Sequence, residues 1–216
     1  GIGGTFMGGL ARFATEAGVK VTGCDAKMYP PMSTQLASLG IGVHEGFDAA
    51  QLDQFPADVY VIGNVAKRGM EVVEAILNRN LPYISGPQWL AENVLHQHWV
   101  LAVAGTHGKT TTSTMCAHIL HQSNVDCNAF LGGISKDYGT NYILSKDSEY
   151  VVIEADEFDR SFHWLRPYAT VITSTDPDHL DIYGTKEAYL ESFQHYTTLI
   201  QPGGALIIKK GLEMTP

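Results

Sequence analysis

Apolar and polar positions follow two recurring rhythms along the chain. Short apolar runs bounded by glycine or acidic residues read as strands; apolar residues spaced three and four apart read as helices. Residues 6–17 carry the helical spacing, closed by Gly18. Residues 20–24 read as a strand ending at Asp25, after which Pro30 and Pro31 break the chain. Ser33 is placed to cap a short helix with Leu36 and Leu39 inward. ADVYVIG, 57–63, is a strong buried strand; 70–77 puts Val72, Val73, Ile76 and Leu77 on one helical face; 83–85 is a strand and 87–95 a helix. Around 96–99 the pattern restarts. Strands are expected at 99–104, 127–131, 150–153, 169–173 and 205–208, with helices at 109–122 and 185–200.

Such alternation predicts an α/β fold with parallel strands and crossover helices. The restart sets a boundary near His98. It gives a Rossmann-like parallel-sheet domain over 1–98 and an α/β domain of the P-loop, ATP-binding kind over 99–216. The chain opens inside a glycine loop with no strand ahead of it and closes on GGALIIKKGLEMTP without a final helix. A fragment of a longer chain is therefore expected, its first domain short of an opening strand and its second incomplete.

Composition narrows the function. Hydrophobic content of 44% with 17% charged residues fits a soluble globular chain with a core. No apolar run approaches the roughly 18 residues of a spanning helix, and no secretory signal is visible. Cys24, Cys116 and Cys127 form no C-x-x-C pair, which points to a reducing compartment and free thiols. A net charge of -9 without a basic stripe argues against nucleic acid. Neither nucleic acid nor membrane is an expected partner.

The chemistry concentrates where VLAVA runs into GTHGKTTT. A strand, a glycine loop and a helix N-terminus form an anion site, because backbone N–H groups and the helix dipole both favour negative charge. Gly105, Thr106, His107, Gly108, Lys109, Thr110 and Thr111 are the expected ATP-binding residues, Lys109 for the outer phosphates and the Thr110 hydroxyl for Mg²⁺. The spacing departs from G-x-x-x-x-G-K-[ST], since Val103 stands where the first glycine belongs. A tight turn with a solvent-facing lysine is the bland alternative. VVIEADEFD then carries a strand into Glu154, Asp156, Glu157 and Asp159, and VITSTDPDHLD carries another into acids and His179. A carboxylate at a strand tip beside such a loop is placed to hold Mg²⁺, and His179 to hold a second cation or orient a phosphate. A solvated acidic loop and a packed histidine are the alternatives.

GTHGKTTT, EADE and DPDHLD, in that order, resemble the ATP-dependent Mur ligases of peptidoglycan synthesis. The resemblance implies that ATP converts a substrate carboxylate to an acyl phosphate, which an incoming amine attacks to form an amide. It implies catalytic roles for Lys109, Glu154 and His179, with Thr110, Glu154 and His179 as metal ligands. It implies ATP and Mg²⁺ as cofactors, a bacterial cytoplasmic setting, and a C-terminal acceptor domain absent from this chain. Several members carry a carbamoylated lysine beyond that histidine; here YLESFQHY puts Gln194 near the place, so none is expected.

The first loop, GIGGTFMGG, only partly follows G-x-G-x-x-G, because position 6 is Phe. With Asp25 placed to read a ribose hydroxyl, it suits a nucleotide diphosphate. By resemblance it takes the UDP part of UDP-N-acetylmuramate, with Gly1, Gly3, Gly4, Asp25 and Asn64 as contacts and Lys67 or Arg68 as further candidates. DAKMYPPMSTQL, GNVAKRG and SGPQWLAE resemble the branch that joins L-Ala-γ-D-Glu-meso-diaminopimelate to UDP-N-acetylmuramate; CNAFLGGISKDYGTNY and EADEFDRSFHWLRPYATVIT resemble the branch that joins L-alanine. A chimera or a natural lineage both account for that. Two competing functions remain: a binding-only fragment, and a nicotinamide-dependent oxidoreductase using GIGGTFMGG. His96, His98, His118 and His121 read as hinge or helix surface.

Overall fold

A computed structural model describes residues 1–145, 147–212 and 214. The chain divides into two compact units, Gly1–Trp89 and Leu90–Pro216.

The first unit begins with α1 (Thr5–Glu16), β1 (Thr22–Asp25), α2 (Met32–Ser38), β2 (Gly42–Glu45) and α3 (Gln51–Gln54). It continues with β3 (Tyr60–Ile62), α4 (Glu71–Asn78), β4 (Tyr83–Ser85) and α5 (Gly86–Asn93), the last running across the division. β1 pairs with β2 and β3 with β4, each in parallel. One expectation is corrected here. The strands form two separate two-stranded sheets rather than one parallel sheet. Among the described residues no strand runs between β1 and β3, and a cavity of about 410 Å³ lined by Thr22, Cys24, Tyr60 and Ile62 lies there, with Leu10 and Ala14 of α1 on its wall. Each sheet keeps its own apolar cluster. Ile2, Ala11, Leu36 and Ile41 pack beside β1 and β2, and Leu52, Val72 and Ile76 beside β3 and β4.

β2 and α3 were not legible in the pattern. GVHE carries too little apolar content for a two-residue period, and QLDQ is a single turn. Nor does Ser33 cap α2. Pro31 is its N-cap residue, and Ser33 lies inside the helix.

The second unit carries β5 (Trp99–Ala104), α6 (Lys109–Gln122), β6 (Asn128–Phe130), β7 (Tyr142–Ile143), β8 (Tyr150–Glu154) and β9 (Ala169–Ile172). It ends with α7 (Leu180–Tyr183), α8 (Lys186–Thr197) and β10 (Ala205–Ile208). The sheet order is β10-β9-β5-β8-β6-β7. β6 and β7 run antiparallel and the other pairs are parallel, so the sheet is mixed. The two-residue β7 is too short for the sequence to declare it. β5 and β8 read as unbroken apolar runs because both sheet faces are covered: Val100, Ala102, Val103, Val151 and Val152 are all essentially inaccessible. α6 packs Ala117 against Ala129 and Val152. On α8, Phe193 and Tyr196 meet Phe162, with ring centroids at 5.2 and 4.7 Å. Full burial of side chains this large contributes roughly 1.5–3 kcal/mol each, so this aromatic cluster is a main anchor of α8.

The candidate functional site

The central position of β5 decides the site. Its neighbours are β8 on one side and β9 on the other, in registers that set Val103 beside Glu154 and Ala104 beside Ile172. Three parallel strands therefore release their chains at one edge: β5 into the glycine loop, β8 into the acidic run and β9 toward His179. In an open α/β sheet that edge is where ligands bind.

The glycine loop is tied to the chain that leaves β9. Thr173 Oγ1 donates to Ala104 O at 3.1 Å and His107 O at 2.6 Å. Thr106 N donates to Ser174 O at 3.2 Å and His107 N to Ser174 Oγ at 2.8 Å. Thr106 Oγ1 donates to Asp176 O and shares a 2.7 Å hydrogen bond with Tyr189 OH. Gly105 takes φ +128°, and a Cβ there would overlap Thr173 Oγ1 and press on the Ser174 backbone. Gly108, at φ +86°, is the N-cap of α6, with no side-chain cap and no acid in the first turn. The N–H groups of Lys109, Thr110 and Thr111 have no intrahelical partner at this position. Of the seven loop residues expected to bind ATP, Thr106 and His107 thus spend their N–H groups on Ser174; the open donors begin beyond them. The His107 side chain is exposed.

The four acids of the second motif separate into different tasks. Glu154 ends β8, and its Oε2 accepts from Gly132 N at 2.9 Å. Any side chain on Gly132 would overlap that carboxylate, while a Cβ on Gly133 would lie 3.5 Å from Thr110 Cγ2. The Gly132–Gly133 segment therefore touches Glu154 on one side and passes near Thr110 on the other. Asp156 and Asp159 cap the following turns, accepting from Phe158 N and Ser161 N. Glu157, fully buried, pairs with Lys109: Nζ lies 2.8 and 3.1 Å from its two oxygens and 2.9 Å from Gly105 O. Burial pushes the Glu157 carboxyl above its ordinary range, against the pull of the Lys109 ammonium.

His179, at φ +53°, heads α7 and sets its ring edge-on to Phe158 at 4.8 Å. Its Nε2 is 3.8 Å from Asp178 Oδ2. Lys109 and His179 are thus both held by side chains of one acidic loop. Among the described residues no three His, Cys, Asp or Glu side chains close on a common cation position. The expected metal set draws instead on a hydroxyl. The Thr110 hydroxyl has no hydrogen-bond partner among the described residues, and Glu154 Oε1 takes no part in the Gly132 bond. Hydroxyl and carboxylate oxygens suit a hard divalent cation.

Sequence reading missed Glu157 as the partner of Lys109, and missed Thr173, Ser174 and Tyr189 as supports of the loop. Glu157 stood inside the quoted acidic run, but spacing alone does not separate four acids in six residues. The loop supports lie 66–83 residues from the groups they hold, with no local signal.

In the first unit, Gly3 N donates to Asp25 Oδ2 at 2.8 Å and Ala26 N to Oδ1 at 2.7 Å, so Asp25 ties the glycine loop to the end of β1. Gly1 donates to Cys24 O at 2.8 Å, and Gly4 is the N-cap of α1. Val65 lies against Gly1, which brings the exposed turn bearing Asn64 beside the loop. Arg68 is engaged with Glu74 at 2.8 Å.

Residues 1–98 match the description "Mur ligase family, catalytic domain", and residues 103–214 match "Mur ligase middle domain". The chain is 53% identical to the UDP-N-acetylmuramate–L-alanine ligase of Phocaeicola vulgatus, covering 100% of this chain and 48% of that protein. It is 44% identical to the UDP-N-acetylmuramate–L-alanyl-γ-D-glutamyl-meso-2,6-diaminoheptandioate ligase of Escherichia coli, covering 96% and 46%. Among solved structures, a UDP-N-acetylmuramate:L-alanyl-γ-D-glutamyl-meso-diaminopimelate ligase from Neisseria meningitides superposes with TM-score 0.93 at 52% identity, covering 99% of this chain and 70% of that one. The chain spans about half the length of the curated relatives it matches.

Proposed function

The chain belongs to the Mur ligase family, and from that premise we propose that it forms the nucleotide-handling part of an ATP-dependent ligase joining an amine to UDP-N-acetylmuramate. The observation that carries the proposal is the single-edge arrangement of Lys109 at the head of α6 and Glu154 at the tip of the adjacent strand, with the Gly132 N–H bonded to Glu154. Bound Mg·ATP supplies an activated phosphoryl group. Lys109 and the first-turn N–H groups of α6 hold its phosphates and stabilise charge as the phosphoryl group transfers. Thr110 and Glu154 hold the cation, and His179 serves a second cation or the phosphates. The glycine loop from Gly1 to Gly4, fixed by Asp25, takes the UDP diphosphate at the N-terminus of α1, with Asn64 alongside.

The chemistry balances without a redox partner. A carboxylate oxygen of the substrate attacks the terminal phosphorus, giving acyl phosphate and ADP. The amine nitrogen attacks the acyl carbon, the phosphate leaves with the C–O bonding pair, and the ammonium proton is released. L-Alanine and the L-Ala-γ-D-Glu-meso-diaminopimelate tripeptide are the two acceptor candidates, matching the names of the two sets of relatives. The bacterial cytoplasm is the proposed setting; no described helix is long and apolar enough to cross a membrane.

A second reading, binding without turnover, is favoured by one fact: the chain spans about half of its curated relatives. Calorimetry and phosphate release decide between them. The expected result is saturable binding of UDP-N-acetylmuramate and of Mg·ATP with none of NADH. Phosphate release on adding one of the two amines then selects the ligase, and silence with both amines selects the binding fragment. NADH binding in place of Mg·ATP overturns both.

A further inference from the structure

One buried charge has no task in the proposed reaction. Glu157 is fully buried, and its carboxylate lies at 2.8 and 3.1 Å from Lys109 Nζ. The same ammonium donates to Gly105 O at 2.9 Å, and its side chain is 13% exposed. An ammonium has three N–H donors. The carboxylate and the carbonyl take two of them, so at most one is left for an incoming anion. The backbone that carries this carboxylate is itself held in place: the Tyr183 hydroxyl donates to the Glu157 carbonyl O, and the Arg160 guanidinium covers the Tyr183 ring at 4.7 Å. Glu154, whose carboxylate is bonded to the Gly132 N–H, adds a further negative charge at the same strand edge. The charge of Lys109 is therefore largely cancelled before any phosphate arrives.

We infer that Glu157 is a positioning residue that clamps Lys109 onto the glycine loop and cancels its charge, so that the loop accepts a triphosphate as its divalent-cation complex and disfavours the metal-free anion. The inference rests on the nucleotide reading above. Metal-free ATP brings four negative charges to a site whose lysine is already paired. The Mg²⁺ complex arrives half-neutralised and needs only one directed donor from Lys109. The clamp thus turns a general anion-attracting loop into one selective for the metal complex.

The test measures ATP binding to the 216-residue chain with Mg²⁺ and again with EDTA, and reads the ratio of the two dissociation constants. Glu157→Gln keeps the size of the side chain and an oxygen acceptor but removes the charge. It is expected to shift the ratio about tenfold toward the metal-free anion. A ratio unchanged by Glu157→Gln overturns the clamp. Should Glu157→Gln not fold, Glu157→Asp retracts the carboxylate by one methylene and is expected to move the ratio in the same direction. The wild-type chain offers a check that needs no variant: the Lys109 ammonium protons should exchange slowly by ¹⁵N-resolved NMR without ligand, and exchange at the bulk rate overturns the clamp. Failure of the wild type to bind Mg·ATP at all overturns the nucleotide reading itself, whereas normal Mg·ATP binding with an unmoved ratio overturns the clamp alone.

Discussion

Gly105→Ala and Gly108→Ala place the same methyl group at the two ends of one loop, and the structure assigns them different consequences. Both residues have positive φ, +128° and +86°. Each alanine therefore takes on backbone strain of about 1–3 kcal/mol. At Gly108 nothing more is added, because the nearest atom, Thr173 Cβ, is at an ordinary 3.8 Å. At Gly105 the new methyl would overlap Thr173 Oγ1 and come within 2.8 and 2.9 Å of Ser174 N and O. The hydroxyl cannot rotate away freely, since it donates to Ala104 O and His107 O. Ser174 is backbone, and its O accepts from Thr106 N. Forcing a methyl into such a fit adds about 1–3 kcal/mol, for a total of about 2–6 kcal/mol at Gly105.

For a unit of this size, 1 kcal/mol moves Tm by roughly 3–5 °C. Gly105→Ala should therefore lower the melting transition of the second unit by about 6–30 °C, and Gly108→Ala by about half as much. Scanning calorimetry of the two variants beside the wild type measures both. Equal losses, or a Gly105→Ala transition within about 2 °C of the wild type, refute the tight seat of the loop against Ser174.

Two further outcomes follow from single contacts. Gly132→Ala meets the movable end of the Glu154 side chain rather than backbone; melting should change by less than about 5 °C while Mg·ATP binding weakens about tenfold or more from loss of the held carboxylate, and unchanged binding by calorimetry contradicts the role of Glu154. Burial lowers the pKa of His163, with the charges of His195, Arg160 and Arg166 adding to it against a raising hydrogen bond to Ser192 O; its neutral form is favoured in the fold, so the stability it supports is complete above the unfolded value of about 6.5 and is lost as pH falls below it. Urea midpoints at several pH values should show the wild type losing more stability on acidification than His163→Gln, and parallel profiles contradict the assignment.

Much of the site could be read from residue order because it is built from strand ends. VLAVA, VVI and ATVI are recognisable as buried strands without a structure, and chemistry following each run falls at one sheet edge as soon as the strands are parallel neighbours. Trp99–Ala104, Lys109–Gln122 and Ala205–Ile208 coincide with their expected bounds. The weak elements were those whose patterns are short: Gly42–Glu45, Gln51–Gln54 and Tyr142–Ile143 hold too few residues to establish a period. In the first unit, the pattern named β1, β3 and β4 but not β2, nor any pairing, since pairing is a property of two distant segments and of what lies between them.

By itself the sequence determined the longer strands and helices and their order, the two glycine loops and the cation that follows the second, because each is a local matter of period, of glycine's freedom at positive φ and of a helix start. Only the tertiary structure decided which acid does what. Glu154, Asp156, Glu157 and Asp159 carry the same charge within six positions, and their environments separate them: Glu154 against the Gly132 N–H, Asp156 and Asp159 on turns, Glu157 buried on Lys109. A carboxylate's task is set by burial and by the donors that surround it, and those donors come from segments far away in the chain.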